Sequence, residues 1–231
     1  MLTVQVIMSH SLAPRVTFGI DIGGSLAKIA LFCPDGNLSN SPQHDRTKVA
    51  YATAHTEYGT SGVRDERLEV QLSNGTLHFI HFQTHKYENF ISIMGEQRLL
   101  APNECIFGTG GGIHKFNDIL TRTLGVRIKH DDELKCLLRG LNFLLTNTEN
   151  ECYFMEDQES KQPSDHIPIS IGHRDIFPYI LVNVGSGASV LKIEGETQFE
   201  RVSGSQIGGG TFWGLSNCIS TVIFPIKRRL I

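Results

Sequence analysis

The chain has 231 residues, of which 40% are hydrophobic and 19% are charged, and its formal net charge is −3. This balance is typical of a globular protein with a sizeable apolar core, and the weak net charge argues against an electrostatic nucleic-acid binder. The five cysteines are scattered, which argues against a disulfide framework and a zinc site and favours a cytoplasmic protein. No apolar run approaches the ~20 residues that a membrane-spanning helix needs.

The first predicted element is a β-hairpin around a Gly-Gly turn. Residues 1–15 are interpreted as a loose N-terminal arm. Val16–Asp21 and Leu26–Phe32 are apolar runs typical of strands, and Gly23 and Gly24 lie in the turn between them. Residues 37–67 are polar without an apolar period, so we expect a long loop or a disordered insertion there.

The middle of the chain predicts alternating strands and helices. A second hairpin is expected at Leu68–Leu72 and Leu77–Phe82, and the spacing of apolar residues predicts a helix over 85–100. A strand at Glu104–Gly108 then enters the glycine cluster Gly108–Gly112. The remaining predictions are a helix over 114–124, a strand over 126–129, a helix with Asp131 or Asp132 as its N-cap, a strand over 151–155 and a loop over 156–174.

The second half repeats the pattern of the first. Tyr179–Val184 and Ala188–Ile193 are predicted strands around the turn Gly185–Gly187, and Phe199–Ser203 is a third strand. Gly208–Thr211 is then expected to begin a helix. The arrangement of strand, glycine turn and strand therefore occurs twice in the chain, which indicates a duplicated unit.

Glycine turns of this kind suit the binding of phosphate. They leave backbone N–H groups open to an anion, and Lys28 could add a point charge. Asp21, at the end of a buried strand, could hold Mg²⁺ directly or through water. The open alternative is that each turn is an ordinary hairpin that uses glycine for its backbone conformation. Gly208–Thr211 would combine free amides with a helix dipole, although it lacks the Lys-Ser/Thr of a Walker A loop.

Three other features have both a functional and an ordinary interpretation. Glu133 is either a solvated residue in the first turn of a helix or a general base that faces a cleft. Arg201 is either a surface pairing partner or an anion clamp. The histidines at 78, 81 and 85 suggest a metal site, but His78 and His81 fall on opposite faces of a strand.

Five motifs occur in the order found in the eukaryotic and type II pantothenate kinases, and the chain resembles that family from about residue 18 to residue 215. The motifs are Phe18–Lys28, Gly108–Phe116, Asp132–Leu137, Leu181–Ser189 and Phe199–Gly214. The resemblance implies an α/β protein with an actin-like ATPase or sugar-kinase (ribonuclease H-like) fold. Residues 16–175 would form the first domain, including the polar insertion, and residues 176–215 would begin an incomplete second domain.

The resemblance also implies an activity and a set of site residues. The reaction would transfer phosphate from ATP, with Mg²⁺, to pantothenate and give 4′-phosphopantothenate, the first step of coenzyme A biosynthesis. Glu133 would be the catalytic base. Ser186, Ser189 and Arg201 would bind substrate or an inhibitory acyl-CoA. The residues implied for ATP and phosphate binding are Asp21, Gly23, Gly24, Ser25, Lys28, Gly110, Gly111, Gly208, Gly209 and Gly210, with Asp21 also at the metal.

Some details are similar to one branch of that family. Gly-Gly-Ser at residues 23–25 and Ile176–Ile180 resemble members in which the kinase module is fused to a C-terminal metal-dependent phosphatase. Because Glu133 and Arg201 are both present, the usual argument for an inactive module does not apply. The alternatives are a catalytically inactive regulatory module that binds acyl-CoA or pantetheine species, and an actin-fold kinase for sugars or N-acetylhexosamines.

The match is expected to end after Leu215. Pro225 and a β-branched run do not suit a continued helix, so residues 216–231 are interpreted as a divergent tail of a C-terminally truncated chain. The resemblance implies a homodimer at the family's full length. For this chain alone we expect marginal stability, a tendency to aggregate and little kinase activity, because an incomplete sheet leaves an edge and an apolar face uncovered.

Overall fold

The computed structural model describes residues 16–35, 43–64, 66–96, 100, 103–148, 151–155, 166–169, 171–172 and 176–223. The expectations for the N-terminal arm and for residues 224–231 lie outside these ranges. Contacts between residues divide the chain into two units, Met1–Ile171 and Gly172–Ile231. Each unit is described by itself below.

The first unit is organised around a mixed eight-stranded sheet. Its strands are β1 (Thr17–Ile22), β2 (Leu26–Pro34), β3 (Glu57–Tyr58), β4 (Gly62–Arg64), β5 (Val70–Leu72), β6 (Gly75–Gln83), β7 (Cys105–Thr109) and β8 (Arg127–His130). The order is β3-β4-β6-β2-β1-β7-β8, with β5 paired to β6. The predicted hairpin is confirmed, because β1 and β2 pair antiparallel. Strands β7 and β8 continue the sheet parallel to β1.

Helices flank both faces of this sheet. They are α1 (Gln43–Ala54), α2 (Tyr87–Glu96), α3 (Gly111–Leu124) and α4 (Glu133–Asn147). The larger core joins alternate residues of β1 and β2 to apolar residues of α2 and α3, such as Phe90 and Phe116. On the opposite face, Ala30, Phe32 and Phe79 pack together and Phe143 of α4 lies against them. Helix α4 is thus positioned by the sheet face that α2 and α3 do not cover.

The expectation of a loop over residues 37–67 is wrong within its described part. Residues 43–64 form α1, β3 and β4. Helix α1 lacks an apolar stripe because charged side chains take part in its packing: Lys48 is 5% exposed and its Nζ contacts Glu104 Oε1 at 2.5 Å and Asp45 Oδ1 at 3.7 Å. Tyr58 of β3 is 1% exposed. Hydrophobic periodicity cannot detect a helix that is attached to its neighbours by a buried ion pair.

This ion pair gives a first prediction about stability. We expect Lys48→Met to lower the free energy of unfolding by about 2–4 kcal/mol, since it leaves two carboxylates beside an uncharged side chain while Glu104 keeps some contact with water. Arg46→Met on the exposed side of the same helix is the control and should change that free energy by less than about 0.5 kcal/mol. Urea denaturation measures both, and equal stability of the two variants would contradict the assigned role of Lys48.

Two smaller differences concern segment bounds in the first unit. Helix α3 begins at Gly111, three residues before the predicted start, so the glycine cluster itself forms the first helical turn. Residues 166–169, expected within a loop, form β10 (His166–Ile169), which pairs antiparallel with β9 (Cys152–Met155). Ile167 and Ile169 alternate with other residues, and their pairing with β9 gives the segment its extended conformation.

The second unit contains a three-stranded antiparallel sheet and one helix. Strands β11 (Tyr179–Val184), β12 (Ala188–Ile193) and β13 (Phe199–Ser205) lie in chain order, as predicted. Helix α5 (Gly209–Ile223) follows. It extends beyond Leu215, so the expectation that the helix pattern stops there is wrong. The β-branched residues near the end of its described part lower helix propensity only slightly.

Large apolar side chains are exposed in this second unit. On β11, Ile180, Val182 and Val184 are 58%, 60% and 65% exposed, and Phe212 of α5 is 72% exposed. A contiguous apolar surface of this kind marks either an interaction site or an aggregation liability. Among the residues that the structure describes, no helix is both long and apolar enough to cross a membrane.

Candidate functional site

Three parallel strands of the first unit end at one edge of the sheet. Strand β1 ends beside β7, where Asp21 is the register partner of Thr109, and β7 ends beside β8, where Gly108 pairs with His130. Each of these strands leads into a loop or a helix start that contains predicted site residues. Ligands of open α/β sheets bind at the carboxyl ends of parallel strands, so this edge is the candidate site.

Asp21 lies at the centre of this edge. Its carboxylate is 14% exposed, and Oδ2 is 3.1 Å from the Nζ of Lys28, its register partner on β2. Gly110 lies on the other side, since a Cβ atom built on this residue would collide with Asp21 Oδ1 and approach the carbonyl oxygen of Ile22 to 2.6 Å. The carboxylate is therefore held between a cation and a bare glycine backbone.

Two sets of backbone amides open onto the same edge. In the β1–β2 turn, the Gly23 amide donates to the Leu26 carbonyl at 2.9 Å, while the amides of Gly24 and Ser25 have no backbone acceptor among the described residues. Both of these residues are exposed. At the start of α3, Gly110 provides no side-chain cap, and although the Ile113 amide donates to the Gly110 carbonyl at 3.1 Å, the amides of Gly111 and Gly112 have no backbone acceptor among the described residues. Open amides together with a helix dipole favour an anion here.

Glu133 is the first residue of α4, at the end of the third parallel strand. Asp132 is the N-cap, and its side chain accepts a hydrogen bond from the Lys135 amide at 2.9 Å, which confirms one of the two predicted caps. Glu133 is exposed, and no ion pair or hydrogen bond of its side chain is found among the described residues. Strand β8 lies two strand spacings from β1, which corresponds to about 10 Å. Asp21, near the end of β1, and Glu133, which follows β8, therefore lie on either side of β7, near the same edge of the sheet.

The sequence interpretation missed two residues that organise this edge. The Thr109 hydroxyl donates to the Asp131 carbonyl at 3.0 Å. The Asp131 amide in turn donates to the Gly108 carbonyl at 3.0 Å, and its carboxylate contacts Arg139 at 3.3 Å. The inclusion of Thr109 in the Gly108–Gly112 motif was the only signal in the sequence. Its alignment with Asp21 depends on the register between β1 and β7, which the sequence does not contain.

In the second unit, the glycine turn of the hairpin packs on the start of α5. The amides of Gly209 and Gly210 donate to the carbonyls of Gly185 and Ser186 at 2.9 and 3.2 Å. A Cβ atom on Gly208 would lie 2.5 Å from the carbonyl carbon of Gly187. Two of the amides that the sequence suggested for an anion therefore bond within the protein and support the turn.

A β-bulge determines where Arg201 lies on β13. Ser189 pairs with Gly204 and Leu191 with Arg201, so β13 carries one extra residue between these pairs. Directly opposed residues share a face, and the bulge therefore puts Arg201 on the face of Ser189 and Gly204. The guanidinium lies against Gly204, where a Cβ atom would collide with Nη2, and Nε donates to the Ser203 carbonyl at 3.3 Å.

The predicted site residues thus fall into two sets. The first unit brings together Asp21, Gly23, Gly24, Ser25, Lys28, Gly110, Gly111 and Glu133 at one sheet edge. The second unit contains the remainder, namely Ser186, Ser189, Arg201, Gly208, Gly209 and Gly210. No group of three or more possible metal-ligating side chains occurs among the described residues.

The sequence of the chain is similar to those of several known proteins. It is 35% identical over 203 residues to 4′-phosphopantetheine phosphatase of Mus musculus, covering 86% of this chain and 23% of that protein. It is 35% identical over 215 residues to pantothenate kinase 2 of Arabidopsis thaliana, covering 87% and 22%. It is 31% identical over 207 residues to pantothenate kinase of Schizosaccharomyces pombe, covering 87% and 45%.

The chain therefore spans less than half the length of each of these curated relatives. The match to the family known as Fumble covers residues 17–223. That range extends past Leu215, so the expectation that the family resemblance ends there is wrong. Since the match includes every strand and helix of both units, the chain belongs to the Fumble family, the pantothenate kinase-like proteins.

Proposed function

We propose that this chain acts in the ATP-dependent phosphorylation of pantothenate to 4′-phosphopantothenate, the first step of coenzyme A biosynthesis. The observation that carries the proposal is the sheet edge where β1, β7 and β8 end together. That edge combines the carboxylate of Asp21, the open amides after β1 and β7, and Glu133 at the start of α4. Its chemistry suits phosphoryl transfer, which depends on charge neutralisation and positioning. Relatives named pantothenate kinase indicate the substrate.

The phosphate chain of ATP would bind the amides of Gly24, Ser25, Gly110 and Gly111, with Lys28 as a point charge. Mg²⁺ typically keeps several waters and binds one or two carboxylates together with phosphate oxygens. A single carboxylate, Asp21, fits that pattern, and its partial exposure leaves room for water. When bound, the ion would neutralise phosphate charge during the transfer. Lys28 would then hold the Asp21 carboxylate in position before the nucleotide binds.

Glu133 would take the proton from the primary hydroxyl of pantothenate as the hydroxyl oxygen attacks the γ-phosphorus of ATP. The bond from that phosphorus to the β–γ bridging oxygen would break, and ADP would leave. Its exposure gives the carboxylate access to an incoming substrate, and its position at the first residue of α4 fixes the backbone that carries it. A carboxylate is one of the side chains that serve as general bases in enzymes. About 10 Å between the ends of β1 and β8 leaves space for the acceptor hydroxyl beside the phosphates.

The second unit contains the residues proposed for binding pantothenate or an inhibitory acyl-CoA. Arg201, Ser189 and Ser186 would bind the polar groups of pantothenate or of an inhibitory acyl-CoA, since the bulge in β13 brings Arg201 to the face of Ser189. The role of Gly208, Gly209 and Gly210 in ATP binding would be mainly indirect, because they support the Gly185–Gly187 turn. Both units would belong to an actin-like ATPase fold, because an antiparallel hairpin around a glycine turn opens each of them.

Several wider properties are proposals on the same basis. We infer a cytoplasmic location, and a homodimer when the family's full length is present. Membership of the branch fused to a C-terminal phosphatase rests on the Gly-Gly-Ser and Ile176–Ile180 details, since the chain is 35% identical both to 4′-phosphopantetheine phosphatase and to pantothenate kinase 2 of Arabidopsis thaliana. The relative named 4′-phosphopantetheine phosphatase supports a second candidate function, namely a regulatory module that binds acyl-CoA or pantetheine species without turnover. The presence of both Glu133 and Arg201 favours the kinase over that alternative.

The test is a phosphorylation assay on the purified chain. Mass spectrometry should detect 4′-phosphopantothenate only when ATP, Mg²⁺ and pantothenate are all present, and no product with glucose or N-acetylglucosamine in place of pantothenate. Binding of a fluorescent ATP analogue is measured in parallel. The proposal is overturned if the chain neither binds the ATP analogue nor forms the product. Acyl-CoA binding without product would favour the regulatory module, and a sugar phosphate would assign a different kinase class.

A further inference from the structure

Thr109 has an unusual position for a residue without an assigned role. It is the last residue of β7 and the register partner of Asp21, so it lies between the strand that carries the proposed metal ligand and the strand that leads to Glu133. Its side chain is buried, with 5% of its surface exposed. A buried hydroxyl at the end of a strand needs partners, and the identity of those partners indicates what the residue does.

The partner of the Thr109 hydroxyl lies beside Glu133 in the sequence. Oγ1 donates to the Asp131 carbonyl at 3.0 Å, two residues before Glu133. Cys136, three residues after Glu133 on the next turn of α4, lines the same small pocket as Thr109 and Asp131. The hydroxyl thus connects β7 to the segment that leads into the proposed base.

These contacts are more rigid than an ordinary helix cap. Thr109 is β-branched, which restricts its side-chain rotamers, and a strand holds its backbone on both sides. The Asp131 amide donates to the Gly108 carbonyl, so β7 holds the same residue at its N–H and at its C=O. The Asp132 cap, in contrast, bonds only within α4 and cannot fix the helix relative to Asp21.

We propose that Thr109 is a positioning residue, whose hydroxyl fixes the first turn of α4 so that Glu133 faces the same sheet edge as Asp21 and Gly110. The proposal rests on the proposed function, in which Glu133 is the base. A displacement of about 1 Å can cost a reaction on the order of 100-fold in rate, so loss of this hydroxyl should act on turnover more than on nucleotide binding.

The experiment compares four forms of the full chain: wild type, Thr109→Val, Thr109→Ser and Thr76→Val. Valine keeps the shape of threonine and removes the donor, whereas serine keeps the hydroxyl. Thr76 also donates a side-chain hydrogen bond from a strand, to Gln71 Oε1 at 2.8 Å, but it lies outside the site and serves as the matched control. Thr109→Ala removes the same hydroxyl without a second methyl group and replaces the valine variant if that variant fails to fold.

We expect Thr109→Val to lower kcat for pantothenate phosphorylation by about 10-fold or more, with the KM for ATP changed by less than about 2-fold. Thr109→Ser should restore kcat to within about 3-fold of the wild-type value. Thr76→Val should have the same kcat as the wild type. Hydrogen exchange by mass spectrometry should show faster exchange in residues 131–137 of Thr109→Val than in the same residues of Thr76→Val. This second readout does not require turnover.

The two readouts separate the possible failures. If the wild type forms no product, the proposed function fails, while exchange at 131–137 still reports whether Thr109 holds α4. If the wild type is active and Thr109→Val is equally active, with unchanged exchange, the positioning role is overturned. A fall in kcat that serine does not restore, or an equal rise in the KM for ATP, would also overturn it.

Discussion

Replacement of Glu133 by glutamine should lower the rate of pantothenate phosphorylation by about 10²–10⁴-fold, the range expected for loss of a general base. Glutamine keeps the size of glutamate and its hydrogen-bonding reach, but its amide cannot accept a proton at neutral pH. ATP binding should change by less than about 2-fold, because the proposed phosphate-binding groups lie on other loops and phosphoryl acceptance is a separate step.

The fold should tolerate this substitution. Glu133 is exposed and makes no ion pair or side-chain hydrogen bond among the described residues, while the Asp132 cap of α4 remains. The lost interaction with the helix dipole is worth about 0.3–1 kcal/mol. A fall in activity therefore cannot be attributed to unfolding, and a thermal melt of the variant verifies this point directly.

Glu88→Gln is the matched control, since Glu88 lies in the first turn of α2, outside the candidate site. Single-turnover measurements with saturating ATP compare the two variants. Only Glu133→Gln should be slow, while a fluorescent ATP analogue should bind both proteins alike. If Glu133→Gln turns over at the rate of Glu88→Gln, then Glu133 is not the base, and proton transfer must use a different group or solvent.

Local sequence signals predicted the parts of the site that local chemistry determines. The hairpins around Gly23–Gly24 and Gly185–Gly187, and the cap at Asp132, were predicted because turn and cap preferences operate within a few residues. Resemblance to a family added the residue roles. The same signals missed α1, whose packing depends on an ion pair between Lys48 and Glu104, residues that lie 56 positions apart.

Long-range pairing determines what the sequence could not predict. The alignment of Asp21 with Thr109 follows from the parallel register of β1 and β7, and two parallel strands can pair in several registers. Whether a glycine amide has a hydrogen-bond acceptor likewise depends on residues that are distant in the sequence. Gly24 and Gly209 both occur in glycine-rich turns, but the Gly209 amide donates to Gly185 while the Gly24 amide has no backbone acceptor among the described residues. A glycine motif therefore predicts a backbone that no side chain covers, but it does not predict whether the N–H groups are free to bind an anion.

Among substitutions of alanine for glycine at the candidate site, Gly110→Ala should cause the largest loss of stability. Gly110 has φ 86° and ψ 153°, a conformation that residues with a Cβ atom almost never adopt. The methyl group would also lie 2.6 Å from the Ile22 carbonyl oxygen and would overlap Asp21 Oδ1. Relief requires the β7–α3 loop to move away from β1. Backbone strain alone costs about 1–3 kcal/mol, and with the two collisions we expect a loss of about 3 kcal/mol or more in the free energy of unfolding.

Gly111→Ala separates this steric argument from a general need for glycine. The neighbouring position is the first residue of α3, and a Cβ atom there would meet no atom within 4 Å. Alanine in a helix is favoured over glycine by about 0.5–1 kcal/mol, so Gly111→Ala should be as stable as the wild type or more stable. Urea denaturation of both variants measures the contrast. Because Asp21 must move in Gly110→Ala, the folded fraction of that variant should also lose affinity for a fluorescent ATP analogue by about 10-fold or more, equivalent to ~1.4 kcal/mol. Two variants of equal stability would mean that the loop relaxes freely, and the contact between Gly110 and Asp21 would then contribute nothing to the site.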